Sequence, residues 1–366
     1  MTGLFQNLAG LTWQMIVMWA IGGAMIWLAI DRGMEPTLLL QMGFGCILCN
    51  LPDSGAAEVL ETLFRAGIAN ELFPLLLFIG IGAMIDFGPL LADPKLLLFG
   101  AAAQFGIFFT LSMASLLGFE LRDAASIAII GAADGPTSIF IANALGSRYT
   151  AAIIVAAYSY MALVPIVQPA CIRLVTTKRE RMIRMTYTPG QISRTTRILF
   201  PIVVTIIAGL VAPQSVALVG FLMFGNLLRE CGVLRALSEC AQNVLANLIS
   251  LLLGLTVAVR MQAESFLVPE TLMILALGLV AFVFDTFGGV FFAKLINLFA
   301  KKKINPMVGA AGISAFPMSS RVIAQMAKDE DPYNFILMQA AGANVAGQVA
   351  SVVAGGLILS MIAPLV

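Results

Sequence analysis

The sequence predicts an all-α polytopic membrane protein made of two related, inverted repeats. Broken helices are expected at its centre, with about ten membrane-embedded helical elements in all. Three observations predict this. First, of 366 residues 60% are hydrophobic and 11% charged, where a soluble chain carries roughly 25% charged residues. Second, apolar stretches recur at 11–30, 72–92, 96–118, 124–145, 150–172, 198–224, 243–259, 271–299 and 335–366, with a shorter one at 37–51. Third, small-residue motifs of the first half return in the second at a nearly constant offset.

In chain order, the segment 11–30 lacks a preceding basic region and a clear cleavage site. At about 20 residues it is long enough to span a bilayer, and it reads as a retained helix. Pro36 followed by Gly43-Phe44 matches Pro213 followed by Gly220-Phe221, and "IGIGAM" (79–84) matches "LGLTVAV" (253–259). "IIGAADGP" (129–136) matches "MVGAAGIS" (307–314), with GAA aligned in both. Matched interrupted helices are typical of secondary transporters, which bind ions where their repeats meet. "KKK" (301–303) has only "FELRD" (119–123) as its counterpart, which points to opposite sides of the membrane and hence to inversion. The polar segment 173–197 carries Lys178, Arg179, Arg181, Arg184, Arg194 and Arg197. The positive-inside rule places it in the cytoplasm as a solvated loop. The division is therefore a first repeat over 1–175, a basic linker over 176–197 and a second repeat over 198–366.

The composition also excludes functions. A net charge of +1 argues against a nucleic-acid partner. The chain has no histidine, which removes imidazole catalysis and histidine-ligated metal sites. It has no GxxxxGK[ST] stretch, so a P-loop ATPase is not expected. Cys46 and Cys49 have CxxC spacing without a second pair and sit in an apolar run, so they read as buried, inert thiols.

The chemistry concentrates in "GAADGPTSIFIANALG" (131–146). A charge at the bilayer centre costs at least about 2.5–3.5 kcal/mol, so Asp134 has a function or a partner there. Pro136 removes a backbone donor and disfavours helix at Gly135, so the helix must unwind. Unwinding frees carbonyl oxygens, which join the carboxylate and the Thr137 and Ser138 hydroxyls as hard ligands suited to Na+. The competing reading is a protonated aspartic acid that bridges two helices. In "NPMVGAAGISAFPMSSR" (305–321), Asn305-Pro306 opens a helix or re-entrant segment, Ser314 supplies a hydroxyl and Phe316-Pro317 breaks the run. Gly309 reads equally as close packing. Arg321 could clamp a carboxylate with its fork of donors or snorkel to the interface. Asn344 is an oxygen donor or an interhelical hydrogen-bonder. Tyr160 could relay a proton or sit in an interfacial belt. Asp86 and Asp285 are secondary acidic candidates.

On these residues the chain resembles the beta subunit of the biotin-dependent sodium-pumping decarboxylases, which act on oxaloacetate, methylmalonyl-CoA, glutaconyl-CoA or malonate. The blocks "FIGIGAMIDFGPLLADPK", "GAADGPTSIF", "GNLLRECGVLRALSECAQN" and "NPMVGAAGISAFPMSSR" carry the resemblance, which runs over nearly the whole chain. It implies that Asp134 is the central Na+ carboxylate with a role in proton exchange. Asn305, Gly309, Ser314 and Asn344 would complete the ion site. Tyr160, Ser314 and Arg321 would share the catalytic work, and Arg321 and Asn305 would meet the cofactor. The short N-terminus leans towards the acyl-CoA or malonate branches.

The resemblance also implies a translocase of the bacterial inner membrane. It would decarboxylate carboxybiotin, consume a proton and export Na+. Carboxybiotin would arrive on a partner, since this chain has no AMKM-like biotinylation segment. The expected partners are a biotin-carrier subunit, a carboxyltransferase subunit, a small membrane subunit, further beta copies and membrane lipid. The alternative is a stand-alone Na+-coupled carboxylate transporter.

Overall fold

A computed structural model describes residues 10–33, 36–186 and 192–365. The remaining positions, including 187–191 of the basic linker, lie outside the described residues. The described residues form helices without strands, as the composition predicts.

The first half contains α1 (Trp13–Asp31), α2 (Pro36–Cys49), α3 (Ala56–Gly67), α4 (Leu72–Met84), α5 (Gly88–Ala92) and α6 (Leu96–Ala103). It continues with α7 (Phe105–Leu116), α8 (Leu121–Ala128), α9 (Gly135–Ala144) and α10 (Thr150–Val175). A short α11 (Lys178–Arg181) lies in the linker. The second half contains α12 (Arg194–Val211), α13 (Val216–Glu230), α14 (Arg235–Cys240), α15 (Ala246–Val257), α16 (Ala263–Phe266) and α17 (Pro269–Phe299). Then follow α18 (Pro306–Ala310), α19 (Met318–Glu330) and α20 (Leu337–Ile362).

Among the described residues, six helices, some built from consecutive elements, are long and apolar enough to cross a membrane; counting two bent pairs as spans gives up to eight. The other apolar segments are shorter or interrupted, and their interruptions have local causes. The run 198–224 divides at Ala212-Pro213 into α12 and α13, because proline cannot donate to the helix before it. The run 72–92 stops at Met84, where the Asp86 carboxylate takes the Gly88 N–H at 2.8 Å and restarts the chain as α5. α10 bends by 69° after Met161, the residue whose carbonyl the Pro165 ring displaces.

Helices on the outside present apolar side chains outward: Leu116, Leu174 and Leu210 are each about 80% exposed. Such a surface suits lipid rather than water. Inside, α20 packs along α6, while α17 packs on α7, α10 and α18, so the breaks lie at the centre of the bundle. Gly289 of α17 and Gly309 of α18 face each other so closely that a Cβ on either would strike the other's carbonyl.

The described part of the linker is mostly exposed but is tied down within its basic cluster. Arg181 pairs with Glu330 at 2.6 Å, and Arg184 holds both oxygens of Asp331 at 2.6 and 3.0 Å. Lys294 reaches Glu180 at 3.0 Å. These contacts fasten the linker to the ends of α17 and α19. The Arg184 guanidinium beside Asp331 holds its carboxyl below the usual range.

Candidate functional site

The first break begins where α8 passes into a 3-10 turn at Ile129–Ala132. Ala133 then takes a left-handed conformation (φ +51°), an uncommon state for a residue with a Cβ. Asp134 is extended and caps α9, with Pro136 in the first turn where its missing N–H costs nothing. The sequence placed this break correctly, and the reversal turns the Asp134 carboxylate into the bundle, where it is 3% exposed.

Asp134 Oδ2 accepts hydrogen bonds from Thr137 Oγ1 at 2.7 Å, Gln348 Nε2 at 2.9 Å and Ser351 Oγ at 2.9 Å. Its Oδ1 accepts the Thr137 N–H at 3.3 Å, and Ser138 Oγ donates to the Asp134 carbonyl at 2.9 Å. Among the described residues no lysine or arginine pairs with it. The charge is thus held by a backbone N–H and three neutral side chains. Each of those side chains also carries an oxygen, since hydroxyls and carboxamides both donate and accept. Rotating the two hydroxyls and turning the amide would present oxygens to a cation beside the carboxylate.

The second break joins the first directly. After α18 the chain loses regular structure, and Ser314 donates both its N–H (3.2 Å) and its hydroxyl (2.7 Å) to the Ala132 carbonyl. Asn344 of α20 donates to the Ile313 carbonyl at 2.7 Å, while its Oδ1 is buried without a partner. Asn344, Gln348 and Ser351 lie at i, i+4 and i+7, one face of α20, so the two breaks and this helix meet around Asp134.

Other sequence candidates lie elsewhere. Asn305 caps α18 through the Met307 N–H at 3.1 Å and donates to the Arg181 and Ile183 carbonyls at 2.8 and 2.9 Å. Its described contacts are with the linker, not with Asp134. Gly309 makes the close approach to α17. The Tyr160 hydroxyl donates to the Leu275 carbonyl. Arg321 is exposed on the first turn of α19 and pairs with no described carboxylate. Next to it, Val322 lines a cavity of about 450 Å³ together with Pro165, Pro169, Arg173, Gln325 and Asp329.

Residues that sequence reasoning missed are Gln348, Ser351, Gln168 and Tyr158. Gln168 of α10 donates to the Ala310 carbonyl (2.9 Å) and Ser319 (2.8 Å), tying α18 to α19. The Tyr158 ring packs on Gly135, and its hydroxyl is buried without a partner.

Comparison with known proteins identifies the family. The profile of the family described as the Na+-transporting oxaloacetate decarboxylase beta subunit matches residues 14–362. The chain belongs to this family. It is 47% identical to the glutaconyl-CoA decarboxylase subunit beta of Acidaminococcus fermentans, over 96% of this chain and 94% of the relative. It is 48% identical to the methylmalonyl-CoA decarboxylase subunit beta of Veillonella parvula, over 94% and 92%. Identity to the oxaloacetate decarboxylase beta chain of Klebsiella pneumoniae is 40%, covering 94% of each.

Proposed function

We propose that this protein is the membrane subunit of a Na+-translocating decarboxylase of the bacterial inner membrane, with Asp134 as its Na+ site. Family membership supports the coupling of decarboxylation to Na+ transport. One structural observation carries the assignment of the site: a buried intramembrane carboxylate whose side-chain partners are all neutral and bear oxygen. A structural ion pair would give it a fixed cation, and the competing protonated aspartic acid bridging two helices would give no response to Na+. Here every side-chain donor can become a ligand.

In this reading Na+ displaces the donors of Thr137, Ser351 and Gln348 and takes their oxygens together with Asp134. Ser314 and Asn344 hold the second break against the site, and the free Asn344 Oδ1 is a further acceptor. Carboxybiotin arrives on a biotin-carrier subunit charged by a carboxyltransferase subunit. A small membrane subunit and further beta copies complete the assembly. Arg321, exposed beside the cavity between α10 and α19, meets the incoming carboxylate. Tyr160 and Ser314 act in proton exchange, while Asn305 and Gly309 shape the second break. That break and the one at Asp134 form the paired centre of two inverted repeats, 1–175 and 198–366. The higher identity to the CoA-ester relatives favours an acyl-CoA as the upstream acid.

Exporting one charge against 100 mV costs about 2.3 kcal/mol, which the decarboxylation must supply. The test is radiolabelled Na+ uptake into proteoliposomes containing the whole complex. Asp134→Asn keeps size and an oxygen but removes the charge that offsets dehydration, so uptake and Na+-stimulated decarboxylation should both vanish. Wild-type pumping by that variant would reduce Asp134 to a hydrogen-bonding strut. Na+ uptake that proceeds without carboxybiotin would instead favour a stand-alone transporter.

A further inference from the structure

A second intramembrane carboxylate takes no part in the site just described. Asp285 lies on α17 and is 0% exposed. On the same helix, Lys294 reaches the linker through Glu180 on one side. Glu270, towards the other end, lines a cavity with Glu120, Asp123 and Arg148. At 1.5 Å per residue, Asp285 is roughly 14 Å from the first and 22 Å from the second, deep within the bundle. A carboxylate at that depth needs a function or a partner.

Its two oxygens differ. Oδ1 accepts the Gly106 N–H at 2.5 Å, and the Ile107 N–H lies near the carboxyl group. Both belong to the first turn of α7, just after the irregularity at Gln104 that separates α6 from α7. Oδ2 is buried and has no hydrogen-bond partner. It abuts Gly131, where a Cβ would come within 2.8 Å of it. Gly131 belongs to the 3-10 turn that delivers Asp134, and the next residue, Ala132, is the one Ser314 holds. The turn is therefore touched by Ser314 at Ala132 and by Asp285 at Gly131.

We propose that Asp285 is a second ion-exchanging carboxylate of this protein, and that it carries a proton rather than Na+. The inference rests on the pumping function proposed above. Oδ1 faces the Gly106 N–H, which repels a cation, and Oδ2 faces the Gly131 backbone and takes no hydrogen bond from any described residue. Na+ needs several oxygen ligands; a proton needs one lone pair. When Asp285 releases its proton, the O–H bond pair stays on Oδ2 and a net charge appears beside Gly131. A proton is consumed when carboxybiotin loses CO2: the N–C bond breaks, its electron pair stays on the ring nitrogen, and the proton bonds there. Reprotonation restores Asp285. Its charge state thus alters the field on the turn that carries Asp134, which links proton loading to the Na+ site.

The neighbouring elements α6, α7, α18 and the turn Ile129–Ala132 carry no titratable side chain. From α10, Tyr158 packs on Gly135, and Tyr160 lies against Gly278 with its hydroxyl on the Leu275 carbonyl. From α8, Arg122 and Asp123 sit at its start, and Asp123 pairs with Arg148 at 3.1 Å. On α17 itself the remaining ionisable groups are Glu270 and Lys294. Asp134 follows the turn.

The test is Asp285→Asn in the whole complex, reconstituted in proteoliposomes. The amide keeps an acceptor for Gly106 but cannot exchange a proton. Na+ should stabilise the variant against heat as it does the wild type, because Asp134 is intact. Na+ uptake should fall at least about tenfold. Wild-type turnover should decline with rising pH as Asp285 loses its proton, and in the variant that decline should flatten. Wild-type uptake with a wild-type pH profile would overturn the proposal and leave Asp285 a cap for α7. If the wild type itself showed no Na+ response, the Asp134 reading would fall, and this one with it. Should Asp285→Asn fail to assemble, the infrared carboxylic-acid band of the Asp134→Asn complex decides. A band that shifts in D2O and moves in a further Asp285→Glu variant supports the proposal; no such band across the working pH range overturns it.

Discussion

The two breaks carry matching GAA motifs but present opposite chemistry. At 129–136 the chain delivers a negative charge and surrounds it with donors: Thr137, Gln348 and Ser351 all point hydrogens at Asp134. At 305–321 there is no acid; Ser314 donates to the first break and Asn344 holds the Ile313 carbonyl, leaving Asn344 Oδ1 unused. One break supplies charge, the other shape and neutral oxygen. An ion site that must release its cargo benefits from this division. A single carboxylate offsets the dehydration of Na+, whereas two would hold it too firmly.

The comparison can be broken first at Gln348. Gln348→Leu deletes a carboxamide oxygen that Na+ takes, so it should raise the Na+ concentration for half-maximal decarboxylation at least about tenfold, which is about 1.4 kcal/mol of lost ligation. An unchanged Na+ requirement would show that α20 does not form the site. Arg321→Lys should next raise the carboxybiotin requirement about tenfold and leave Na+ affinity alone, since lysine keeps the charge but loses the planar fork. Normal decarboxylation of free carboxybiotin by that variant would remove the clamp role. Ser314→Ala deletes one neutral hydrogen bond between the breaks, worth about 1 kcal/mol, so Na+ affinity should fall about fivefold in equilibrium titrations. No change there would mean that the Ser314 backbone N–H alone joins the two breaks.

The smallest effect lies outside the membrane, at the linker clamp. Arg184 lowers the Asp331 carboxyl below its ordinary value. Its contribution to stability is therefore complete above that ordinary value and is lost as the pH falls through the lowered one. Asp331→Asn should remove this acid-side component from a melting-temperature series and leave the neutral range nearly unchanged. An identical acid profile in both proteins would show that the pair does not fasten the linker.

Much of this arrangement was legible because it is written locally. Asp134-Gly135-Pro136 marks an interruption of the helix, which the structure puts at Ala133-Asp134, and an acid in an apolar run must face the interior. Ser314 was readable by its place in the matching motif. Gln348 and Ser351 were not singled out, because one polar residue per turn of an apolar helix gives no local signal. Their i, i+4, i+7 spacing with Asn344 was the available clue. Asn305 was harder to read for a different reason. Its residue type suits an ion site, yet its partners are carbonyls of a linker more than a hundred residues away, a pairing that only the tertiary fold reveals. The same holds for Arg181 and Arg184, whose acidic partners sit at the end of α19.

The measurement that tests the central claim most directly is thermal unfolding of the wild-type and Asp134→Asn complexes in matched NaCl, LiCl and KCl. A ligand that binds only the folded state at 100 times its Kd stabilises it by about 2.7 kcal/mol. The account predicts that Na+ and Li+ raise the melting temperature of the wild type, that K+ does little, and that the Asp134→Asn complex responds alike to all three. Equal responses of the wild type to the three salts, or a Na+-specific response that survives in Asp134→Asn, would contradict it.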